Sequence, residues 1–233
     1  MSILKVDQIS STSSVLAIGM SVAVLALLAI LHILSPEFNP AWRMVSEYAN
    51  GKYPMILSAM FFLWGAASWV LAYTLWPHVQ TTAGKIGLLF LVLAGIGEAM
   101  AAVFDINHKL HSVSAMIGIP SLAIAAMLIS ITLVRTGPWS MVKNPLLWTA
   151  NLTWVSILLM GIAFAVMMAT YAQAGGDVSA SAEVVTTLPE GVIALVGWAN
   201  RFLIVVYCSW VMTVAWYSIK FSQQEFGLQF KLD

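Results

Sequence analysis

Residues 15–34 read VLAIGMSVAVLALLAILHIL and contain no Asp, Glu, Lys or Arg. As an α-helix, this run of about 20 residues is roughly 30 Å long, which matches the hydrocarbon core of a bilayer. A secretory signal peptide has a shorter apolar region followed by a small-residue cleavage site, whereas this run ends in His32-Ile-Leu-Ser35-Pro36. We therefore predict a membrane-spanning helix that the mature protein retains.

The composition of the whole chain points the same way. Of 233 residues, 61% are hydrophobic and 9% are charged, whereas soluble domains are about half apolar and about a quarter charged. The formal net charge is zero and no block of Lys and Arg occurs, which excludes the usual electrostatic basis of nucleic-acid binding. The single cysteine, Cys208, cannot form an intramolecular disulfide and is interpreted as a small packing residue.

Six apolar runs follow one another, separated by polar, proline-bearing or glycine-bearing segments. Because lipid cannot hydrogen-bond the backbone, each run is expected to be a helix, and the short alternating segments of a transmembrane barrel are missing from the sequence. The sequence therefore predicts one domain, residues 1–233, that is an all-α polytopic transmembrane bundle of six helices. The predicted spans lie near residues 13–34, 54–76, 85–104, 113–135, 147–173 and 191–219.

The distribution of Lys and Arg between the loops predicts the orientation, since cytoplasmic loops carry the excess. With both termini cytoplasmic, the inner side holds Lys5, Lys85, Arg135, Lys143, Lys220 and Lys231, and the outer side holds Arg43, Lys52 and Lys109. Loops 35–53, 105–112 and 174–190 then face outward. They contain most of the side chains capable of chemistry, including Asp177, Glu183 and Glu190 in the third loop.

Two charged residues, Glu98 and Arg201, fall within predicted spans. Either would cost about 3 kcal/mol or more if it faced lipid at the bilayer centre. Their similar depth predicts a Glu98–Arg201 ion pair, with Ser46, Glu47 or Asn200 satisfying the remaining hydrogen bonds. Such a pair could fix helix packing, or it could belong to a substrate-binding or relay site.

The segment from Asp105 to His111 is a candidate metal site. His108 and His111 are three residues apart, which places both imidazoles on one helical face, and Asp105 precedes His108 by three. With Glu98 nearby, these residues could hold zinc with an open position for water. The alternatives are interfacial residues that cap helix ends, or a haem held by His32 with His108 or His111.

Three glycines suggest close helix contacts. Gly95 and Gly97 are separated by one residue in the third run, and Gly161 lies in the fifth. Small residues allow helix backbones to approach each other in membranes. We predict that all three positions pack against neighbouring helices.

Three segments together resemble a bacterial family of integral membrane proteins, the domain-of-unknown-function family nine-nine-eight, which is distantly similar to the DRAM/Frag/Sfk group. They are the stretch from Ser35-Pro-Glu-Phe-Asn-Pro to Ser46-Glu47-Tyr, the stretch from Gly97 to His111, and Gly197-Trp-Ala-Asn-Arg201 with Trp210. The resemblance implies the six-helix fold, a bacterial inner (plasma) membrane, and one outward-facing cluster. That cluster would comprise Ser46, Glu47, Asp105, His111 and Arg201. The family brings no established activity.

The leading hypothesis is a non-enzymatic membrane protein that binds a lipid, a small ligand or a partner helix through this outer polar cluster. Arg201 would contact an anionic headgroup, and Glu98, Glu47 and Asp105 would hold the arginine in place. The first alternative is a metal-dependent intramembrane hydrolase using Glu98, Asp105, His108 and His111. The second is an assembly or scaffold subunit of a membrane complex, for which the partner would be another membrane protein.

Overall fold

The computed structural model describes residues 3–177 and 185–229, and all regular structure in these ranges is helical. Six α-helices run in chain order, with 3-10 helices Val45–Asn50 before the second and Gly137–Val142 before the fifth. The α-helices are α1 (Ile3–Leu34), α2 (Pro54–Leu75), α3 (Thr82–Val103), α4 (His111–Leu133), α5 (Lys143–Gln173) and α6 (Val196–Gln229). All six are long and apolar enough to cross a membrane, which confirms the predicted all-α polytopic bundle.

The helix ends depart from prediction at α1, which begins at Ile3 instead of near residue 13, and at both ends of α6, which continues to Gln229 instead of ending near residue 219. The sequence pattern suggests a start near residue 191, but the helix begins at Val196. Pro189 and Gly191, the latter with φ +88°, lie in irregular chain before it. Because a helix cannot accommodate a positive φ, α6 begins only after Gly191, five residues later than the apolar run suggests.

The helices pack against one another in chain order, and contact between α1 and α6 closes the ring. The core along their shared faces includes Leu31, Met60, Leu91, Ile129 and Trp210, all buried. Since consecutive helices alternate in direction, the loops after α1, α3 and α5 meet at one end of the bundle. We call this the loop end.

Glycines set the spacing of two helix pairs. A Cβ on Gly97 of α3 would lie 2.4 Å from the Gly118 nitrogen of α4, and one on Gly95 would lie 2.8 Å from the Gly65 carbonyl oxygen of α2. The predicted close packing at Gly95 and Gly97 is therefore confirmed. At Gly161 it is wrong, because nothing lies within 4 Å of the Cβ position.

The fifth helix is packed along only half its length. Its buried residues, Leu146, Ala150, Thr153 and Ser156, all lie in the half far from the loop end. No residue between 157 and 173 is buried against the described part of the chain. Towards the loop end, α5 therefore closes the bundle less tightly than the other helices do.

Candidate functional site

Arg201 joins α6 to the first loop. It is 5% exposed, and its NH1 donates to the carbonyl oxygens of Arg43 at 2.7 Å and Gly197 at 2.9 Å. Its NH2 donates to the Tyr48 hydroxyl at 3.0 Å, and the guanidinium carbon lies 5.5 Å from the Tyr48 ring centroid. The same hydroxyl also forms a hydrogen bond with His32 Nδ1 on α1. The first loop, α1 and α6 thus meet at Tyr48.

Two further residues of α6 hold the same loop. The Gly197 nitrogen donates to the Ala41 carbonyl oxygen at 2.9 Å, and a Cβ on Gly197 would lie 2.4 Å from the Pro40 carbonyl oxygen. The Asn200 side chain accepts from the Val45 nitrogen at 2.9 Å. The segment Gly197-Trp-Ala-Asn-Arg201 therefore forms a docking surface for the backbone of the first loop.

Glu47 organises the loop from within. Its Oε1 accepts from the Met44 nitrogen at 2.8 Å, and its Oε2 pairs with Arg43 four residues earlier. The Glu47 nitrogen in turn donates to the Met44 carbonyl oxygen at 3.0 Å. These bonds satisfy the backbone at the start of 3-10 helix Val45–Asn50, so Glu47 fixes the shape of the loop.

The predicted Glu98–Arg201 ion pair is wrong. Near Arg201, the ion pair that forms is Arg43–Glu47, within the first loop. Arg201 lies five residues beyond the start of α6, and its side chain reaches the loop instead of the bundle centre. Matched depth does not fix the direction of a side chain around its helix axis, and here the two directions differ.

Glu98 lies in the interior of the bundle without a cationic partner in the described residues. It is 5% exposed, and its Oε2 accepts from the Ser68 hydroxyl on α2 at 3.2 Å. The Tyr207 hydroxyl on α6 lies 3.1 Å from the same Ser68 oxygen. The other carboxyl oxygen, Oε1, is buried and has no hydrogen-bond partner among the residues that the structure describes. Such an atom is uncommon in a folded protein and calls for a specific explanation.

Glu98 lines a cavity of about 270 Å³ beneath the first loop. Residues of α2 to α6 and of the loop contribute to its wall, which is mostly apolar, with Phe61, Leu122 and Leu203 as examples. The polar lining residues are Ser46, Glu98, His111, Ser114 and Asn200. Three of the predicted site residues, Ser46, Glu98 and His111, therefore share one cavity.

The second loop uses its polar side chains on its own backbone. Asp105 Oδ1 accepts from the Asn107 nitrogen at 2.9 Å, and His108 Nδ1 accepts from the Leu110 nitrogen at 3.1 Å. These are local turn contacts of the kind that short polar side chains make. Asp105 and His108 thus shape the loop, and neither lines the cavity.

The predicted zinc ligands do not come together. His111 opens α4, and its Nδ1 lies 2.9 Å from the Phe104 carbonyl oxygen, to which it donates. In the described ranges, no three His, Cys, Asp or Glu side chains are arranged to hold a metal ion. The local bonds of Asp105 and His108 account for this, since they turn both side chains toward the loop backbone. Of the third-loop acids, Glu183 lies outside the described residues.

A family model described as "Protein of unknown function (DUF998)" matches residues 16–217. The chain belongs to the DUF998 family. The match extends from α1 to α6 and contains all three segments on which the resemblance was based. In this DUF998 protein, the first and third of these segments bind each other at the loop end. No curated protein and no solved structure matches the chain significantly.

Sequence reasoning missed the hydroxyl groups around Glu98. Ser68 and Tyr207 lie mid-span and are buried. A search of the spans for charged residues alone selects neither of them. Any strongly polar side chain in a span must find a hydrogen bond. Applying that criterion to hydroxyl groups would have selected both residues as candidate partners of Glu98.

Proposed function

We propose that this DUF998 protein binds a small, mostly apolar molecule in the cavity beneath the first loop, with Glu98 accepting a hydrogen bond from the ligand. The observation that carries the proposal is the unpaired Glu98 Oε1 beside an otherwise apolar cavity. A buried acceptor without a partner costs about 1–3 kcal/mol. A ligand that donates to it would recover that free energy, and a bundle that needed no ligand could avoid the cost with an apolar residue.

The size of the cavity sets the size of the ligand. At about 270 Å³, it is larger than an engineered protein cavity of ~150 Å³ that binds benzene. A chain of about ten carbons, or the end of a longer lipid, is comparable in size. Apolar walls with a few polar groups at fixed places are the usual composition of a small-molecule site.

We propose a role for the charged residues of the loop end that differs from the predicted one. Arg201 does not line the cavity, and its NH1 and NH2 already donate to protein oxygens. Arg201 and Glu47 hold the first loop, from which Ser46 reaches the cavity wall. We therefore assign Arg201 and Glu47 to positioning and Glu98 to ligand contact.

The resemblance to a bacterial family supports placing the protein in a bacterial inner membrane.

The proposal is tested by filling the cavity. Ala115 of α4 lines it, so Ala115→Phe would occupy part of its volume; Ala101→Phe on α3 is a second filling variant should the first not fold. The matched control is Ala165→Phe, because Ala165 lies on the exposed side of α5. Each protein is purified in mild detergent and its melting temperature is measured with decane, 1-decanol, decyl methyl ether and decylammonium.

A molecule at free concentration L that binds the folded state stabilises it by RT ln(1 + L/Kd), so the melting temperature rises as the ligand concentration exceeds Kd. We expect at least one decyl compound to raise it for the native protein and for Ala165→Phe. A folded Ala115→Phe or Ala101→Phe protein should show no rise. Equal rises in the filled and unfilled proteins, or no rise in the native protein with any compound, would refute the proposal.

A further inference from the structure

A second unpaired polar atom lies at the same cavity. The indole nitrogen Nε1 of Trp64 is buried and has no hydrogen-bond partner, and Trp64 lines the cavity together with Glu98. Five such buried atoms occur in the described residues, and the other three belong to Ser14, Ser35 and Arg201, none of which lines this cavity. Two residues that line the cavity thus carry one unpaired donor and one unpaired acceptor.

Both residues contact one buried hydroxyl, that of Ser68. Ser68 Oγ is 3.2 Å from both the Trp64 carbonyl oxygen and Glu98 Oε2. The Trp64 ring centroid lies 5.9 Å from that of Tyr207, whose hydroxyl bonds to the same Ser68. Trp64 and Glu98 are therefore arranged around one buried hydroxyl, on neighbouring helices.

Indole N–H only donates, and Glu98 Oε1 accepts whether the carboxyl is ionised or carries its proton on Oε2, the oxygen that lies 3.2 Å from Ser68 Oγ. Their free atoms consequently specify different parts of a ligand. An ammonium group donates but cannot accept, so it would leave Trp64 Nε1 unpaired. An ether accepts but cannot donate, so it would leave Glu98 Oε1 unpaired. A hydroxyl does both with one oxygen atom.

We infer that the ligand of this cavity is a neutral amphiphile whose polar end both donates and accepts a hydrogen bond, a long-chain or cyclic alcohol being the simplest class. The inference rests on the proposed function and adds the chemistry of the ligand's polar end to it. The hydroxyl proton bonds to Glu98 Oε1, the hydroxyl oxygen accepts from Trp64 Nε1, and the apolar body lies among Phe61, Leu122 and Leu203.

The decyl series separates the two hydrogen bonds. Dissociation constants are taken from the concentration dependence of the melting temperature. The ether differs from decane by an acceptor, and the alcohol differs from the ether by a donor. Each bond is expected to contribute about 1 kcal/mol, so each step should tighten binding about 5-fold.

Two variants assign each step to its residue. Trp64→Phe keeps an aromatic ring but removes the N–H, so it should abolish the advantage of the ether over decane. Glu98→Leu should abolish the advantage of the alcohol over the ether. Trp69→Phe is the control: Trp69 lies on the same helix, but its Nε1 donates to the Val92 carbonyl oxygen at 3.1 Å and it does not line the cavity. Both preferences should survive in that protein.

The outcomes distinguish this inference from the proposed function. If the filling variants block binding while all four compounds bind equally, or Trp64→Phe leaves every preference unchanged, the cavity binds ligands but the alcohol assignment is wrong. Tighter binding of decylammonium than of decanol would also overturn it, in favour of an organic cation. Failure of the filling variants to block binding would refute the proposed function itself.

Discussion

Arg201 on α6 donates a hydrogen bond to the Tyr48 hydroxyl in the first loop at 3.0 Å, across 153 positions of the chain. Because Tyr48 also contacts His32 of α1, the first and last helices are joined through one loop residue. This junction holds the loop from which Ser46 reaches the cavity wall, and it explains why an arginine can be buried in an apolar span without a carboxylate partner. Its NH1 and NH2 donate to oxygens of the backbone and of a tyrosine, and its Nε has no partner in the described residues.

Replacing Arg201 should release the first loop. In Arg201→Ala, the Arg43 carbonyl oxygen and the Tyr48 hydroxyl lose their donor, at a cost of about 3 kcal/mol, because hydrogen bonds to a charged group contribute about 1.5–3 kcal/mol each. Arg201→Lys should recover only part of this, since an ammonium cannot match the planar donors of a guanidinium. Tryptic cleavage after Arg43 and Lys52 is the measurement, and it should become faster in both variants.

Arg135→Ala is the control for that experiment, because Arg135 is exposed at the opposite end of the bundle. It should leave cleavage in the first loop unchanged. Native cleavage rates in Arg201→Ala would show that the loop is held by Gly197 and Asn200 without the arginine.

A methyl group at Gly97 should force α3 and α4 apart. Its Cβ would lie 2.4 Å from the backbone nitrogen of Gly118, which cannot move without shifting the helix. Overpacking of this kind costs about 1–3 kcal/mol. We expect Gly97→Ala to lower the free energy of unfolding by that amount in a detergent titration.

Gly161→Ala provides the matched comparison. Its Cβ would meet no atom within 4 Å, so only the helix propensity changes, which favours alanine by up to about 1 kcal/mol. This variant should therefore be neutral or slightly stabilised. Equal destabilisation of the two variants would mean that α5 packs more closely than the structure describes.

The hydroxyl groups around Glu98 should behave non-additively. Ser68→Ala leaves both the Tyr207 hydroxyl and Glu98 Oε2 without their partner, at about 1–3 kcal/mol for each unsatisfied group. Tyr207→Phe removes the polar group itself and should cost only about 1 kcal/mol. The double variant should consequently be more stable than the sum of the two single changes predicts.

The measurement is the free energy of unfolding of the four proteins in a double-mutant cycle, which isolates the coupling between the two positions. Additive costs would indicate that the Tyr207 hydroxyl finds another partner, and the chain from Tyr207 through Ser68 to Glu98 would then have no energetic role.

Single-cysteine labelling tests the predicted orientation. In a Cys208→Ala background, Lys109→Cys in the second loop and Lys143→Cys at the start of α5 place thiols at opposite ends of the bundle, and both positions are exposed. If the termini are cytoplasmic, a membrane-impermeant maleimide should label residue 109 in intact cells and residue 143 only after the membrane is opened. The converse pattern would reverse the orientation predicted from the distribution of Lys and Arg.

The amino-acid sequence determined the number of spans, the all-α class and the loops that meet at the functional end. The physical reason is local: a run of about 20 apolar residues has the length of a bilayer core and must satisfy its backbone internally. Glu98 could be selected from the sequence for the same reason, since a charge in a span needs a partner or a purpose. Ser46 and His111 could also be selected from the sequence, because the family resemblance placed both of them in the outward-facing cluster.

The tertiary structure decided which of these residues meet. Glu98 and Arg201 lie at matching depth, but each residue turns the helix by about 100°, so depth in the sequence says nothing about the direction of a side chain. The actual start of α6 at Val196 and the docking of the first loop on Gly197 direct Arg201 away from Glu98. The cavity, and the unpaired atoms of Trp64 and Glu98 beside it, arise only when α2 to α6 and the loop are packed together. Periodicity along one helix cannot encode a space enclosed by several.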